Sequence, residues 1–461
     1  MPELTSVRLG GRNFYSVEHV RMNNAGKMKV NEVQRGEDTI KEHYRITSRA
    51  FGIKLGIINS IAAIFKNGKV ETIKKDGYCI VPSCVLLPKN GIPPYFCGKA
   101  AKVFNRPKNV IHDFLPLVGV KYSDPVVKHV QESVGFTIVD DGDNNPVISV
   151  LNHGDEKQYR PEEVVTVFLD YIRCSTQHYV GYDIADVVIS VPVWFSSLQR
   201  QLIRDAAVAV GLNPILVIPD PVAAAYAHND VLDLEKWDSP KGRVVLVYDL
   251  RSTSFSVTIQ RMNGVVYSVL AYEYDLQLGG NDFDRLIRDD VIKKYKEEAE
   301  EEYGELTRRG IDELLEMCVE AKIALAKVTC VPIDFYNNCD RYYHFSPDHM
   351  NVWGDDLIDD DWYYELSRDH MNDLISGKID ESIRLCDNAI ARAGLAVNDI
   401  DEIVLVGGST RLCIVKEKLK NHFPQLEIKD SVKPEECIAT GAARYAYALS
   451  TGKYFVTPSH P

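Results

Sequence analysis

Three things are scarce in this 461-residue chain. No two cysteines stand at C-x-x-C spacing. The ten, Cys79, Cys84, Cys97, Cys174, Cys318, Cys330, Cys339, Cys386, Cys413 and Cys437, are scattered. That excludes the usual zinc-ribbon spacings. With no apolar leader at the N-terminus, it points to reduced thiols in a cytoplasmic setting. No uncharged apolar run reaches the ~18 residues of a membrane span. The most apolar stretch, 56–65, is short and holds Asn59 and Ser60. Basic residues are outnumbered, 53 against 66 acidic, for a net charge of −13. That argues against nonspecific nucleic-acid binding, which relies on basic stripes. The 12 histidines form no H-E-x-x-H pair, and no G-x-S-x-G elbow occurs. Neither a metal centre nor an acyl-transfer triad is therefore expected.

What the chain does contain is ordinary for a globular protein, with 45% hydrophobic and 26% charged residues. At ~100–200 residues per domain, its length predicts several domains with ample core. Residues 1–50 are polar and aperiodic, and read as an extension: an arm, a leader or an anchor. From Phe51, FGIKLGIINSIAAIFKNGKVETI sets apolar runs around Asn67-Gly68, a strong hairpin signal. A similar stretch, RVVLVYDLRSTSFSVTIQRMNGVVYSVLA, follows later around Asn263-Gly264. The repeat suggests an internal duplication into two related lobes.

Strands then alternate with helices, which gives an α/β class. Pro161-Glu162-Glu163 predicts a helix start, and Val187–Val191 a buried strand. Ser196 with Gln199 has capping-box spacing. Residues 215–218 read as a strand, 221–228 as a helix, 402–406 as a strand, 412–423 as a helix, and Pro434 as the start of a last helix. The expected division is an extension at 1–50, lobe I at 51–230 with 433–450 returning to it, lobe II at 242–432, and a tail at 451–461. Within lobe II, 282–395 reads as a charged, helical elaboration. It is broken by an aromatic, acidic stretch at 331–364, whose aromatics suit a core and whose acids suit a solvated face.

Three stretches carry a resemblance to a known family: VVISVPVWFSSLQRQLIRDAAVAVGLNPILVIPDPVAAAYAH, LVYDLRSTSFSVTIQ with LGGNDFD, and DEIVLVGGSTRL with KPEECIATGAARYA. From about Phe51 to Ser450 the chain resembles the nucleotide-binding domain of the seventy-kilodalton heat-shock chaperones, members of the actin and sugar-kinase superfamily. The resemblance implies two lobes, each built on a mixed five-stranded sheet with helices, and a nucleotide cleft between them. It also implies ATP or ADP as ligand, with magnesium.

Against that pattern the phosphate side is altered. The first phosphate turn of the family, D-L-G-T-T, is here Lys54-Leu55-Gly56-Ile57-Ile58. The second, D-L-G-G-G-T-F-D, keeps Asp249 but reads Arg251-Ser252-Thr253 where three glycines belong. Leu115 stands at the catalytic lysine, and Asp220 replaces the interlobe glutamate. The adenosine side is better kept. Gly279, Gly280, Lys322, Gly407, Gly408, Ser409 and Arg411 match, and Glu435 stands for an aspartate. Val319, Ile323 and Ala326 replace polar contacts. Pro192 and Arg200 match residues that the family uses to couple nucleotide to lobe state. Arg204 keeps a charge on the cochaperone face, and Leu216 loses one.

The chain therefore reads as a degenerate relative with weak or lost nucleotide binding, doubtful magnesium and no hydrolysis. It would act on protein partners such as an exchange factor or a larger assembly. A slow ATPase in a rearranged cleft is the alternative, and an actin-like subunit a third. Two roles are open to Lys54: replacing the metal's charge toward a phosphate, or pairing with Asp249 to close the cleft. The family's linker and peptide-binding region are not found before the last residues, ALSTGKYFVTPSHP.

Overall fold

The computed structural model describes residues 50–75, 77–87, 96–99, 101, 108–152, 155–228, 242–334 and 362–450. The expected extension up to residue 49, the connection at 231–241, most of the aromatic, acidic stretch (335–361) and the tail lie outside the described residues.

Apolar, β-branched runs become strands where tight turns return the chain on itself. Phe51–Lys54, Asn59–Lys66 and Lys69–Thr72 form an antiparallel meander. Asn67 and Gly68 both take positive φ, 52° and 80°. That geometry matches a two-residue turn to the twist of its strands. Asp186–Val191 lies parallel to the first strand, and Asn213–Pro219 parallel to Asp186–Val191.

The second lobe repeats the plan. Arg243–Leu250, Phe255–Asn263 and Val266–Asp275 are antiparallel, and Glu402–Val406 then Glu427–Lys429 add in parallel. In each sheet the spatial order is third, second, first, fourth, fifth strand of the lobe. The shared topology supports the duplication suggested by the two similar stretches. The main sheet of lobe I differs from the expected five strands by a sixth, the short Val81–Pro82 paired with Asn59 and Ser60.

Two helices start where their caps predict. Pro161–Val180 carries Glu162 and Glu163 in its first turn and ends at Gly181, φ 78°. Ser197–Ala209 is opened by the reciprocal Ser196–Gln199 box. The last helix is Cys437–Ser450, not one beginning at Pro434. The Pro434 carbonyl accepts the Gly407 N–H at 3.2 Å, so this turn serves the neighbouring loop before the helix starts. The elaboration of lobe II holds the helices Gly280–Glu298, Arg308–Leu325 and Arg368–Arg392. It also holds an unexpected antiparallel pair, Cys330–Asp334 with Tyr363–Ser367, at the ends of the aromatic, acidic stretch.

Each lobe has its own apolar core, and a third apolar layer joins them. That layer contains the helices Asp220–Ala227 and Cys437–Ser450. They pack against Val188 and Ile218 from lobe I and Val245, Val247, Val404 and Val406 from lobe II. Small residues permit the approach: a Cβ on Gly441 would fall 1.6 Å from the Ala223 carbonyl oxygen. The Tyr226 and Tyr445 rings stack at 4.4 Å, and their hydroxyls donate to the Gly264 and Val265 carbonyls. Buried hydroxyls with partners add direction to an otherwise apolar contact. This layer sets Asp220, at the start of its helix, near Asp249, at the end of its strand.

Candidate functional site

Three sequence-predicted residues meet between the lobes. Lys54 ends the first strand of lobe I, Asp249 lies next to the end of the first strand of lobe II, and Asp220 follows Pro219. The residue that connects them is Arg251. Its Nε donates to both Asp249 oxygens at 3.0 and 2.9 Å, and its Nη2 to Asp249 Oδ2 at 2.6 Å. The same Nη2 donates to Asp220 Oδ2 at 2.8 Å. The side chains of Asp220 and Asp249 are 2% and 7% exposed. One guanidinium thus ties both walls of the cleft.

Of the two roles open to Lys54, a direct pair with Asp249 is not what the structure shows. Lys54 Nζ donates instead to the Asn59 carbonyl at 3.0 Å. A planar fork can serve two carboxylates at once, which a single ammonium on a separate strand does not match. Burial, and then the nearby Arg251 charge, lower the Lys54 pKa to about 8, against the pull of Asp220 and Asp249. The other oxygen of Asp220, Oδ1, is buried and has no hydrogen-bond partner among the described residues.

The backbone of each turn around this cluster is satisfied by groups of its own lobe. In the first, the Gly56 N–H donates to Ser60 Oγ at 3.2 Å and Ser83 Oγ donates to the Gly56 carbonyl at 2.6 Å. Ile57 packs on the lobe I core. In the second, the Arg251 N–H donates to the Ser254 carbonyl at 2.9 Å. The Arg251 carbonyl accepts from the Gly280 N–H at 2.9 Å and Ser409 Oγ at 3.2 Å. The Ser252 carbonyl accepts the Asn281 N–H at 2.7 Å.

The adenosine-side residues are brought together, and most are engaged in packing. A Cβ on Gly279 would sit 2.6 Å from the Ser252 carbonyl oxygen, and one on Gly280 2.6 Å from Ser409 Oγ. Gly407 has φ 86°, and a Cβ there would lie 2.1 Å from the Leu250 carbonyl oxygen. Gly408 differs, since a Cβ on it would meet nothing within 4 Å. Lys322, buried, holds the Gly280 carbonyl and Asp284, each at 2.7 Å. Burial lowers the Lys322 pKa and raises that of Asp284. Arg411 forks onto Glu435 at 2.7–3.3 Å.

Leu115 stands apart, buried in the lobe I core within the short helix Leu115–Leu117. Pro192 and Arg200 lie near the junction of the lobes. The Pro192 carbonyl accepts the Phe195 N–H at 3.1 Å, and Arg200 Nη2 donates to the Val193 carbonyl at 3.4 Å. Between them in sequence, Trp194 stacks on Tyr274 of lobe II, centroids 5.7 Å apart. Sequence reasoning took Arg251 only as one of the side chains replacing glycines in the phosphates' space; it did not join it to Asp220 and Asp249, and it assigned no role to this ring pair. The available signal was a single arginine where glycine was expected.

Among the described residues no group of three or more His, Cys, Asp or Glu is placed to hold a metal ion, and no helix is long and apolar enough to cross a membrane. Two sheets of this shared topology, with these residues meeting between the lobes, define a two-lobed protein of the actin-like ATPase class. The chain belongs to the Hsp70 family, matching the Hsp70 protein family over residues 50–456. It is also similar to a heat shock cognate HSP70 protein of Trypanosoma brucei brucei, 30% identical over 408 residues. That match covers 87% of this chain and 56% of the relative, so the chain spans a little over half the relative's length. The family typically binds ATP or ADP with magnesium and interacts with other proteins.

Proposed function

We propose that this chain is a divergent Hsp70-type nucleotide-binding domain that does not hydrolyse ATP, binds nucleotide weakly or not at all, and acts as an interaction or regulatory module toward protein partners. Exchange factors or a larger assembly are the partner classes that fit the family. A reducing cytoplasm suits its scattered cysteines, which show no C-x-x-C spacing.

The observation that carries this reading is the use of both cleft carboxylates by Arg251. Hydrated magnesium is held through carboxylate oxygens. Here Asp249 is forked onto a guanidinium, Asp220 gives one oxygen to it, and an ammonium stands where the family's first carboxylate belongs. This donor set does not fit the metal. A buried leucine at 115 supplies no donor to a transferring phosphoryl group. Removing one such donor costs ~3–4 kcal/mol, or ~10²–10³ in rate. Several are altered here, so turnover close to the uncatalysed rate is expected even without additivity.

A slow ATPase is the second reading. It draws on the partnerless Asp220 Oδ1 and the open space at Gly408. Turnover assays on purified protein, with Asp249→Asn as control, separate the two. The proposal expects no difference between wild type and control. Phosphate release that scales with protein and disappears in Asp249→Asn overturns it.

A further inference from the structure

Arg251 touches both lobes through one side chain. Its Nη2 lies 2.6 Å from Asp249 of lobe II and 2.8 Å from Asp220 of lobe I, and its Nε completes the fork on Asp249. The backbone carrying it is anchored on three sides. The Arg251 N–H closes onto Ser254, and its carbonyl takes the Gly280 N–H and the Ser409 hydroxyl. Burial works against the guanidinium's charge, but Asp249 and then Asp220 outweigh it and raise its pKa.

Two buried carboxylates facing each other across a cleft repel unless positive charge lies between them. In this chain that charge is covalently attached. Lys54 adds a second cation beside it, so two carboxylates meet two cations. A polyphosphate entering here would bring negative charge to carboxylates whose counter-charge is already engaged. It would also have to displace a guanidinium held by four hydrogen bonds.

We propose that Arg251 is a tethered cation standing in the seat of a metal-bound polyphosphate, that it holds the two lobes closed without a ligand, and that it is the residue excluding nucleoside di- and triphosphates from this cleft. The inference rests on the reading of the cleft given above, and adds a cause to it. Its consequence is that partners meet one lobe arrangement whatever the nucleotide level.

The molecule carries its own reporter. Trp194 of lobe I stacks on Tyr274 of lobe II, so lobe opening separates the rings and changes Trp194 emission. The chain has 4 tryptophans, and subtracting the Trp194→Phe signal isolates this one. Asp220→Asn weakens only the arm of the clamp that reaches lobe I, replacing a carboxylate acceptor by a neutral amide oxygen. It is expected to shift Trp194 emission while ADP affinity stays within about twofold of wild type. Arg251→Gly also clears the seat, and is expected to give the same emission shift with at least a tenfold gain in ADP affinity by calorimetry. Arg251→Lys keeps the charge and loses the fork. It serves if the glycine variant does not fold, with a gain of at least threefold.

A folded Arg251→Gly or Arg251→Lys protein with wild-type ADP affinity overturns the inference. So does an Asp220→Asn protein with unchanged Trp194 emission, or wild type binding ADP as tightly as Arg251→Gly. ATP turnover by the wild type overturns the proposed function instead, so the two failures are distinguishable.

Discussion

The turn after Lys54 and the turn after Leu250 occupy equivalent places in two lobes of the same topology, yet they are stabilised in opposite ways. The first is satisfied within its own lobe. Ser60, Ser83 and Gly56 share hydrogen bonds, and Ile57 packs into the lobe I core. The second reaches outward. Arg251 leaves it to bind Asp220 of the other lobe, while its backbone is tied to Gly280 and Ser409. The two sheets share one strand order, and strand pairing and apolar burial constrain them residue by residue. The turns were free to diverge, since a turn needs only that its polar groups find some partner. One turn became a structural corner and the other a connector.

Four substitutions test that contrast, and the connector should give the largest effect. Arg251→Ala strands two buried carboxylates, and breaking a buried pair costs about 3–5 kcal/mol. Lys54 lies near enough to place the loss toward the lower end. Urea denaturation reads it, and a loss below about 1 kcal/mol would mean that the cluster contributes little. Gly407→Ala comes next. At φ 86°, with its Cβ directed onto the Leu250 carbonyl, it combines backbone strain and overlap, for about 2–3 kcal/mol. The same denaturation series measures it.

Ser83→Ala tests the corner. It removes a buried hydroxyl that serves the Gly56 carbonyl and Ser60, at about 1–2 kcal/mol. Its ADP affinity should match wild type, since nothing from this corner reaches lobe II. The last test reads a change in pH slope rather than a loss at one pH. The Lys54 pKa is lowered in the folded protein to about 8 from 10.5. Between those values the unfolded chain binds more protons, so this group makes stability rise with pH across that window. Lys54→Met removes the contribution, and the stability of wild type relative to the variant should rise from pH 8 to pH 10.5. A flat difference would mean that Lys54 is not held, half-buried, beside Arg251.

Much of the framework was legible in the sequence. Asn67-Gly68, the Ser196–Gln199 box and Val187–Val191 are local signals, and their strands and helices follow from them. The pair Cys330–Asp334 and Tyr363–Ser367 was missed because its strands stand at the two ends of a stretch dominated by acids and aromatics. The alternation in Tyr363–Ser367, with Tyr364 and Leu366 buried, is nonetheless present. The altered phosphate turns were legible as substitutions, but not their consequence. Loss of the glycines at 251–253 puts side chains where the family's phosphates lie, and that much can be read from the substitutions alone. That the obstructing side chain would choose Asp220, 31 residues earlier and on the other lobe, depends on tertiary placement that no local pattern encodes. Lys54 was the more conspicuous change, a charge reversal, and it settled on a nearby carbonyl. Gly279, Gly280 and Gly407 show the converse: each fits a nucleotide motif, and each is also required by backbone packing around the second turn.

The central claim is that the cleft is filled and neutralised by the chain's own residues. Calorimetric titration of nucleotide-stripped wild-type protein with ADP and ATP, with and without magnesium, tests it most directly. The account predicts no saturable heat at micromolar ligand, and no magnesium dependence of whatever weak binding is found. Micromolar, magnesium-dependent binding of either nucleotide would contradict it, because the metal would then have taken Asp220 and Asp249 back from Arg251.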